Sequence, residues 1–557
     1  MENKPIARTL RLLSQLMELH NENPFKIKSV ANAAFKIDKL PFAIASKPTS
    51  EIDKIDGIGK SIASKIIELL ETGSIAELET LLSQTPPGIV EMLAIKGIGP
   101  KKIATIWHDL NIESVGELYY ACNENRLIEA KGFGLKTQEE IKKVLEFKMA
   151  ANGKFLYAQA EPIINEIHKN LSLWLNKVDH HSLLGIAGEY RRLCEIIDEA
   201  VFVLGTEKPE ILANQLSNFE LEFVEESTNV FTTQTESGLN IRLFLVPKND
   251  FYLNYFKLTG NEAHVSQVLA LAGNHLFVSE EEIYEKAGLD FVLPELREDL
   301  GEIELAKKHQ LPTLITDRDL KGSLHNHSDW SDGVHTLEEM ALYCRDVLKL
   351  EYLGICDHSK SAFYANGLNK QRVYAQHQQI NELNQKLAPF KIFKGIESDI
   401  LYDGSLDYSD DILKTFDFVV ASVHSQLKMT EEKATERLIK AIENPYTTIL
   451  GHPTGRLLLS RKGYDIDYKK VIDACAANNV VIEINANPLR LDLDWRWHRY
   501  ALEKGVLLSV NPDAHRKEGF LDMHYGVMVG RKGGLTPDKC LNAFTLAQIQ
   551  EFFTSKR

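Results

Sequence analysis

The 557 residues are too many for one hydrophobic core and predict three or four domains at the usual size of ~100 to 200 residues each. A hydrophobic fraction of 44% excludes a disordered chain, and no apolar run approaches the ~18 residues that a membrane span needs. Six singly spaced cysteines predict reduced thiols and a cytoplasmic protein, and the net charge of −15 excludes a uniformly basic surface.

Two stretches near the amino terminus, 55–65 and 95–104, follow one plan: an apolar residue, a Gly-apolar-Gly hairpin, a lysine and a helix. The glycines permit positive φ angles, and the helix start directs free N–H groups outward, which suits a DNA phosphate. Such contacts hold a backbone without reading base sequence. The alternative is a pair of helix–helix turns without a ligand. The predicted DNA-binding residues are Gly57, Gly59, Lys60, Gly97, Gly99, Lys101 and Lys102.

This repeat resembles helix-hairpin-helix motifs, and residues 23–150 are similar to the amino-terminal lyase and fingers regions of family X DNA polymerases. The resemblance implies a helical lyase-like domain over residues 1–85 and a fingers-like region over residues 86–150. It also implies Schiff-base chemistry with an abasic sugar for Lys65, in the helix after the first hairpin. The plainer interpretation is a lysine that is solvated or contacts phosphate.

Residues 151–318 resemble the palm and thumb of the same family but differ at the positions that carry chemistry. Segment 185–201 is similar to the palm motif in which Gly-Ser-Tyr-Arg-Arg leads to Asp-x-Asp. Glu199, Val201 and Asn240 occupy the three carboxylate positions of two-metal nucleotidyl transfer. Because valine offers no ligand atom and an amide replaces a carboxylate poorly, we expect a palm fold without polymerase activity. The alternative is a gap-filling polymerase in which Asp198 assists.

Beyond residue 320, short apolar runs typical of buried parallel strands repeatedly end in a side chain that can bind a metal ion, and helical stretches separate them. His325 and His327 open the series on one face, since they are two residues apart. The carboxyl ends of the strands meet at one face of a βα barrel, so these side chains should converge. The side chains that follow the later runs are Asp357, His358, Glu397, Asp399, His424, His452, Asn485, Asp513 and His515.

This pattern resembles the PHP (polymerase and histidinol phosphatase) domain, a distorted (β/α)7 barrel with a trinuclear metal centre, over residues 319–557. Imidazole and carboxylate ligands suit Zn²⁺, Mn²⁺ and Fe²⁺ alike. The resemblance implies one ion on His325, His327, Glu397 and Asp513, a second on Glu397, His424 and His452, and a third on Asp332, His358 and His515.

We predict catalytic roles for the ligands Glu397 and Asp513 and for Arg456, whose guanidinium is suited to clamp a substrate phosphate. The alternative for Arg456 is a solvated loop residue. Asp357, Asp399 and Asn485 are candidates to orient the ligands, or ordinary hydrogen bonders at strand ends.

The predicted fold class is a multidomain α and α/β chain, with helix-hairpin-helix, palm and thumb, and PHP barrel parts. The predicted function is DNA repair by a metal-dependent phosphoesterase that acts on gapped or end-containing DNA. Three activities fit: a 3′–5′ exonuclease, a 3′-phosphatase or phosphodiesterase, and an abasic-site endonuclease. A small-molecule phosphatase of the histidinol phosphate type and an active polymerase are the alternatives.

Overall fold

The computed structural model describes residues 2–95, 97–128, 130, 132–150, 153–216, 219–273 and 275–556. The chain divides into two compact units, Met1–Glu146 and Phe147–Arg557. Within the described residues, every helix is too short or too polar to cross a lipid bilayer.

The unit Met1–Glu146 is built from helices whose apolar residues recur every three or four positions. Ile6, Leu10, Leu13 and Met17 form such a stripe on the first helix and are fully buried. The second helix begins with a proline behind Asn23, whose side chain accepts a hydrogen bond from a backbone N–H of the first turn. The helices are α1 (Asn3–Leu19), α2 (Pro24–Lys39), α3 (Thr49–Ile52), α4 (Lys60–Thr72), α5 (Ala76–Gln84), α6 (Pro87–Met92), α7 (Pro100–Ala104), α8 (Val115–Asn123) and α9 (Leu135–Ala150).

The second unit begins with a mixed sheet and a group of helices. The elements are β1 (Phe155–Leu156), α10 (Tyr157–Val178), β2 (Leu183–Ala187), α11 (Gly188–Arg191), β3 (Ile196–Ile197), β4 (Glu199–Thr206), α12 (Pro209–Gln215), β5 (Val224–Ser227), β6 (Val230–Gln234), β7 (Asn240–Pro247), α13 (Phe251–Thr259), α14 (Glu262–Ala272), α15 (Glu280–Ala287) and α16 (Glu302–Lys307). The five-stranded sheet has the order β2-β4-β7-β6-β5, and β4 runs parallel to β7. This arrangement places the predicted palm positions on two adjacent strands.

A seven-stranded, all-parallel sheet follows, with its strands in sequence order. The elements are β8 (Gly322–Ser323), α17 (Leu337–Leu342), β9 (Tyr352–Ile355), α18 (Lys370–Leu387), β10 (Lys391–Asp399), α19 (Asp410–Leu413), β11 (Phe418–Ser422), α20 (Glu431–Ile442), β12 (Ile449–Leu450), α21 (Tyr468–Ala477), β13 (Val481–Asn485), α22 (His498–Glu503), β14 (Leu508–Asn511), α23 (Met523–Lys532) and α24 (Leu546–Ser555). A bridge between Asn326 and Ala514 joins the two edges just beyond the strands. The nearly closed barrel confirms the predicted (β/α)7 fold class.

The two ends of the barrel differ in chemistry. At the amino-terminal ends of the strands, Tyr352, Phe393 and Phe418 form an apolar cluster with α24. The ring of Phe553 on α24 stacks on Phe418 with 4.9 Å between centroids. Helix α24 therefore covers the apolar end of the barrel. The polar side chains lie at the opposite end, at the carboxyl ends of the strands.

Ion pairs join the palm and thumb part to the barrel. Lys532, whose side chain is fully buried, pairs with Glu298 and donates a hydrogen bond to the Arg192 carbonyl at 2.9 Å. Its ammonium also lies 4.4 Å from the ring centroid of Trp495. The Trp495 indole N–H donates to Glu195 at 2.8 Å. The two parts of this unit are therefore held together by buried, paired charges.

Candidate metal centre

All nine predicted metal ligands lie at the carboxyl end of the barrel. Two follow β8, one lies on the loop that continues from it, Glu397 lies on β10, and the others follow β9, β11, β12 and β14. Their side chains are at most 5% exposed. The residues are His325, His327, Asp332, His358, Glu397, His424, His452, Asp513 and His515.

Glu397 lies at the centre of the group. Its Oε1 is 3.1 Å from Nε2 of both His424 and His452, and 3.3 Å from Nε2 of His325. Its Oε2 is 3.0 Å from Nδ1 of His358. His327 Nε2 is 3.6 Å from the same oxygen, so one carboxylate faces five imidazoles, as expected of a ligand shared between ions.

Asp513 forms a second focus with the two histidines after β8. Its Oδ1 is 3.0 Å from His327 Nε2 and 3.6 Å from His325 Nε2. These three residues offer ligand atoms within one metal-sized space. The grouping agrees with the first ligand set that the PHP resemblance implies.

Asp332 forms the third focus. Its two oxygens are each 3.4 Å from an imidazole nitrogen, Nε2 of His358 for one and Nε2 of His515 for the other. His327 joins this group, with Nδ1 at 3.8 Å from Asp332 Oδ1. His358 contacts both Asp332 and Glu397, so the three foci share ligands.

The orientation of the ring nitrogens fits bound cations. In the described part of the chain, both ring nitrogens of His327 and of His358, together with His325 Nε2, make no well-directed hydrogen bond. Buried polar atoms without hydrogen bonds are costly, by about 1–3 kcal/mol each. A divalent ion at each focus would give these nitrogens partners, so the donor set fits a metal centre.

The ionisation of the group also suits metal binding. Burial alone would raise the pKa of Glu397, but the surrounding imidazoles hold it well below its usual range. Burial and the neighbouring imidazoles of His515 and His358 lower the pKa of His327 to about 4. Against the effect of burial, Glu397 and Asp399 raise the pKa of His424 to about 9. Protons on such imidazoles balance the carboxylates, and a cation would displace them.

Glu483, on β13, is a functional residue that the sequence analysis missed. It is fully buried and accepts a hydrogen bond from His325 Nδ1 at 2.7 Å. It also accepts from the His452 backbone N–H at 3.1 Å and from the side-chain amides of Asn485 and Asn511, each at 3.0 Å. Glu483 therefore fixes the tautomer and direction of one ligand histidine. Its position two residues before Asn485, on the same face of the strand, was the available signal.

Two of the three candidate orienting residues contact ligands. Asp399 Oδ1 is 2.5 Å from His424 Nδ1, and Asn485 donates to Asp513 at 3.1 Å. Asp357 instead accepts hydrogen bonds from Ser328 and Ser331, on the loop that carries Asp332. Burial raises the pKa of Asp357 to about 6 against these hydrogen bonds. Asp357 thus organises a loop rather than an imidazole.

The structure gives Arg456 a different role from the predicted phosphate clamp. Its guanidinium donates to Asp494 at 2.6 Å, to the Arg490 carbonyl at 2.9 Å and to the Leu491 carbonyl. The side chain is 13% exposed. Since these partners occupy Nε and both Nη atoms, Arg456 anchors the 490–494 segment, and we exclude it from the proposed phosphate contacts.

The three predicted palm positions include one acid, and an arginine lies beside them. Glu199 on β4 lies opposite Asn240 on β7, and Val201 lies opposite Arg242. The Arg242 guanidinium is 3.5 Å from Glu199 Oε1. Val201 is 6% exposed and packs against Gly188. Asp198, just before β4, pairs with Lys154 at 3.2 Å.

The two hairpins have the backbone that the sequence predicts. Gly57 and Gly97 have φ angles of +80° and +95°, which favour glycine. The helices after them, α4 and α7, begin behind Gly59 and Gly99 without a side-chain cap. Backbone N–H groups at these helix starts are therefore available to a phosphate.

Lys65, the candidate lyase residue, pairs with Glu77, which also pairs with Lys26. Burial would raise the pKa of Glu77, but hydrogen bonds from the two lysines lower it. Attack by the Lys65 amine on an abasic sugar would require this pairing with Glu77 to break. Lyase chemistry at Lys65 stays a prediction.

Comparisons with known proteins agree with this architecture. A family described as "Helix-hairpin-helix domain" matches residues 1–75, and one described as "SAM-like Helix-hairpin-helix tandem" matches residues 89–146. A probable phosphatase of Thermoanaerobacter sp. (strain X514) is 31% identical over 31% of this chain and 73% of its own length. A probable phosphatase of Acetivibrio thermocellus is 30% identical over 34% and 78%. The DNA polymerase/3′-5′ exonuclease PolX of Bacillus subtilis is 34% identical over 99% of both chains. The chain therefore belongs to the PolX family, the family X DNA polymerases with a carboxyl-terminal PHP domain.

Proposed function

We propose that this protein is a metal-dependent phosphoesterase that hydrolyses DNA ends, as a 3′–5′ exonuclease, a 3′-phosphatase or phosphodiesterase, or an abasic-site endonuclease. The observation that carries the proposal is the convergence of nine buried donors at one end of the barrel. The full-length relative named as a 3′–5′ exonuclease and the two phosphate-type hairpins in the same chain support DNA as the substrate.

The proposed cofactors are three divalent ions, each Zn²⁺, Mn²⁺ or Fe²⁺, held by the three foci around Glu397, Asp513 and Asp332. Such ions supply Lewis acidity to a phosphoester and make a nearby water more acidic. The protein's own contribution is to hold the ligands in place. Glu483 directs His325, Asp399 directs His424, and the barrel excludes bulk water from the imidazoles.

We also propose that the palm does not polymerise. Of the three palm positions only Glu199 is acidic, with Asn240 beside it and the Arg242 guanidinium at 3.5 Å, and one carboxylate at these positions is too few for two magnesium ions. Primer extension on a gapped duplex with all four nucleotides and Mg²⁺ or Mn²⁺ should give no product. Templated extension by this protein would overturn the proposal.

The exonuclease proposal is tested with Mn²⁺ and a 3′-recessed oligonucleotide, which should be shortened stepwise. The His325→Ala/His327→Ala variant should lose this activity and bound metal, while the exposed control Glu432→Gln should keep both. Equal shortening by the double variant, with circular dichroism showing that both proteins are folded, would refute the assignment of the site.

A second candidate is a phosphatase for small phosphomonoesters, favoured by the relatives named as probable phosphatases. Comparing kcat/KM for soluble phosphomonoesters with kcat/KM for DNA ends separates the two. We expect DNA ends to be the better substrate, because the hairpins would otherwise have no ligand.

A further inference from the structure

A loop on the rim of the metal centre is held rigidly by the ligands themselves. Its first residue, Ser359, donates its backbone N–H to the Glu397 carbonyl at 3.0 Å, and Leu368 closes the loop onto the His358 carbonyl at 2.8 Å. Ser361 donates its hydroxyl to Asp399, the partner of a ligand histidine, at 2.7 Å. A side chain on loop 359–368 is therefore positioned relative to the metal centre.

This loop carries an exposed aromatic residue. Phe363 is 81% exposed, at the start of a single 3₁₀ turn, Phe363–Ala365. Its ring lies 6.0 Å from that of Tyr364, which lies 6.3 Å from the ring of His358. A large apolar side chain thus faces solvent, and one intervening ring, that of Tyr364, separates it from the proposed metal ligand His358.

The loop also carries a lysine, whose ammonium faces an acid and a tyrosine ring. Lys360, on the same loop, is 55% exposed and lies 4.0 Å from Asp407. An exposed aromatic ring near a phosphoester site is suited to nucleic acid, because every nucleobase offers a face for stacking. A small phosphomonoester without a base would gain nothing from the ring.

We propose that Phe363 stacks on the 3′-terminal nucleobase of a DNA strand whose terminal phosphoester lies at the metal centre. This inference rests on the proposed function and specifies how the same site recognises its substrate. Stacking does not depend on the identity of the base, so the enzyme accepts any 3′-terminal nucleotide. Phe363 acts in substrate binding and leaves the metal centre itself unchanged.

The kinetic test removes the ring and the base separately. Phe363→Ala should reduce kcat/KM for an oligonucleotide with an ordinary 3′ nucleotide by about tenfold, mainly through KM. With a 3′-terminal tetrahydrofuran residue, which has no base, wild type and variant should be equal. Phe363→Trp should retain the wild-type values. The matched control is Val347→Ala, because Val347 is also an exposed apolar residue, on the segment that precedes β9.

A binding test in EDTA needs no metal. An oligonucleotide with 2-aminopurine at its 3′ end should lose fluorescence on binding to wild type and to Phe363→Trp, and keep it with Phe363→Ala. Equal quenching by wild type and Phe363→Ala, or equal loss of kcat/KM on both oligonucleotides, would overturn the stacking role.

Hydrolysis of bis(p-nitrophenyl) phosphate separates this inference from the proposed function. If wild type hydrolyses this diester and shortens DNA but Phe363→Ala is unchanged on DNA, the stacking role alone is wrong. If wild type hydrolyses neither substrate with Zn²⁺, with Mn²⁺ or with Fe²⁺, the proposed function is wrong.

Discussion

The barrel and the palm each place a glutamate on a strand of the same compact unit, and they differ in what surrounds it. Around Glu397 are imidazoles, which bind a metal ion once they release a proton. Beside Glu199 are an amide and the Arg242 guanidinium, which is charged at all accessible pH values. The contrast teaches that the same acidic side chain has different partners in the two sites: imidazoles, which are metal ligands, in the barrel, and an arginine in the palm.

The largest effect is expected when the central carboxylate of the barrel is neutralised. Glu397→Gln keeps the shape of the side chain but removes the charge that five imidazoles face, so phosphoesterase activity should fall by at least about a thousandfold. Elemental analysis should show less bound metal than in the exposed control Glu431→Gln. Wild-type activity in this variant would mean that the Glu397 carboxylate is not required, and that Glu397 and Glu199 do not differ in function.

A smaller loss is expected when the support of one ligand is altered. Glu483→Gln leaves the nine ligands in place but weakens the hydrogen bond that directs His325. Activity or metal affinity should decrease by about 10- to 100-fold, the usual range for residues behind a ligand. Titration of the metal-free protein with Zn²⁺ measures the affinity, and an unchanged affinity and rate would remove Glu483 from the site.

Six of the nine donors of the barrel were predicted because they follow an apolar run, and parallel strands carry their carboxyl ends to one face. His325 and His327 were predicted from their two-residue spacing, and Asp332 only from the PHP resemblance. The sequence did not reveal Glu483, which lies within β13 and shows its role only when His325, 158 residues earlier, is folded against it. It also misjudged Arg456, since its partners at 490–494 are brought to it by a loop whose path no local pattern specifies. The missing palm ligands were evident, whereas the pairing of Glu199 with Arg242 required the register of β4 and β7.

A variant of the second hairpin tests DNA binding separately from the barrel site and the palm site, and so sharpens the contrast between them. Lys101→Ala/Lys102→Ala should weaken binding of a gapped duplex by about tenfold at low salt and reduce the salt dependence, because fewer counterions are released. Hydrolysis of bis(p-nitrophenyl) phosphate should not change. Fluorescence anisotropy at several salt concentrations measures the binding, and Lys469→Ala, at an exposed position on α21, is the matched control. An unchanged affinity and salt dependence in the double variant would remove the second hairpin from the DNA contacts.

The smallest effect is expected from rebuilding the palm. Val201→Asp/Asn240→Asp adds two carboxylates, but Arg242 would pair with them, so Mg²⁺ should not stabilise this variant. Adding Arg242→Gln should allow millimolar Mg²⁺ to raise the free energy of unfolding by about 1 kcal/mol. Thermal melts with Mg²⁺ and with EDTA measure the difference. Stabilisation of the double variant by Mg²⁺ would show that Arg242 does not close the site.

The buried pairing of Lys532 with Glu298 and of Trp495 with Glu195 has a practical consequence for fragments of this protein. Cutting the chain before residue 319 would remove both acceptors and expose an ammonium and an indole that are matched to them. Poor solubility of an isolated PHP fragment would then reflect the newly exposed surface and not the stability of the barrel itself. Expression trials should therefore retain the palm, because it covers this surface of the barrel.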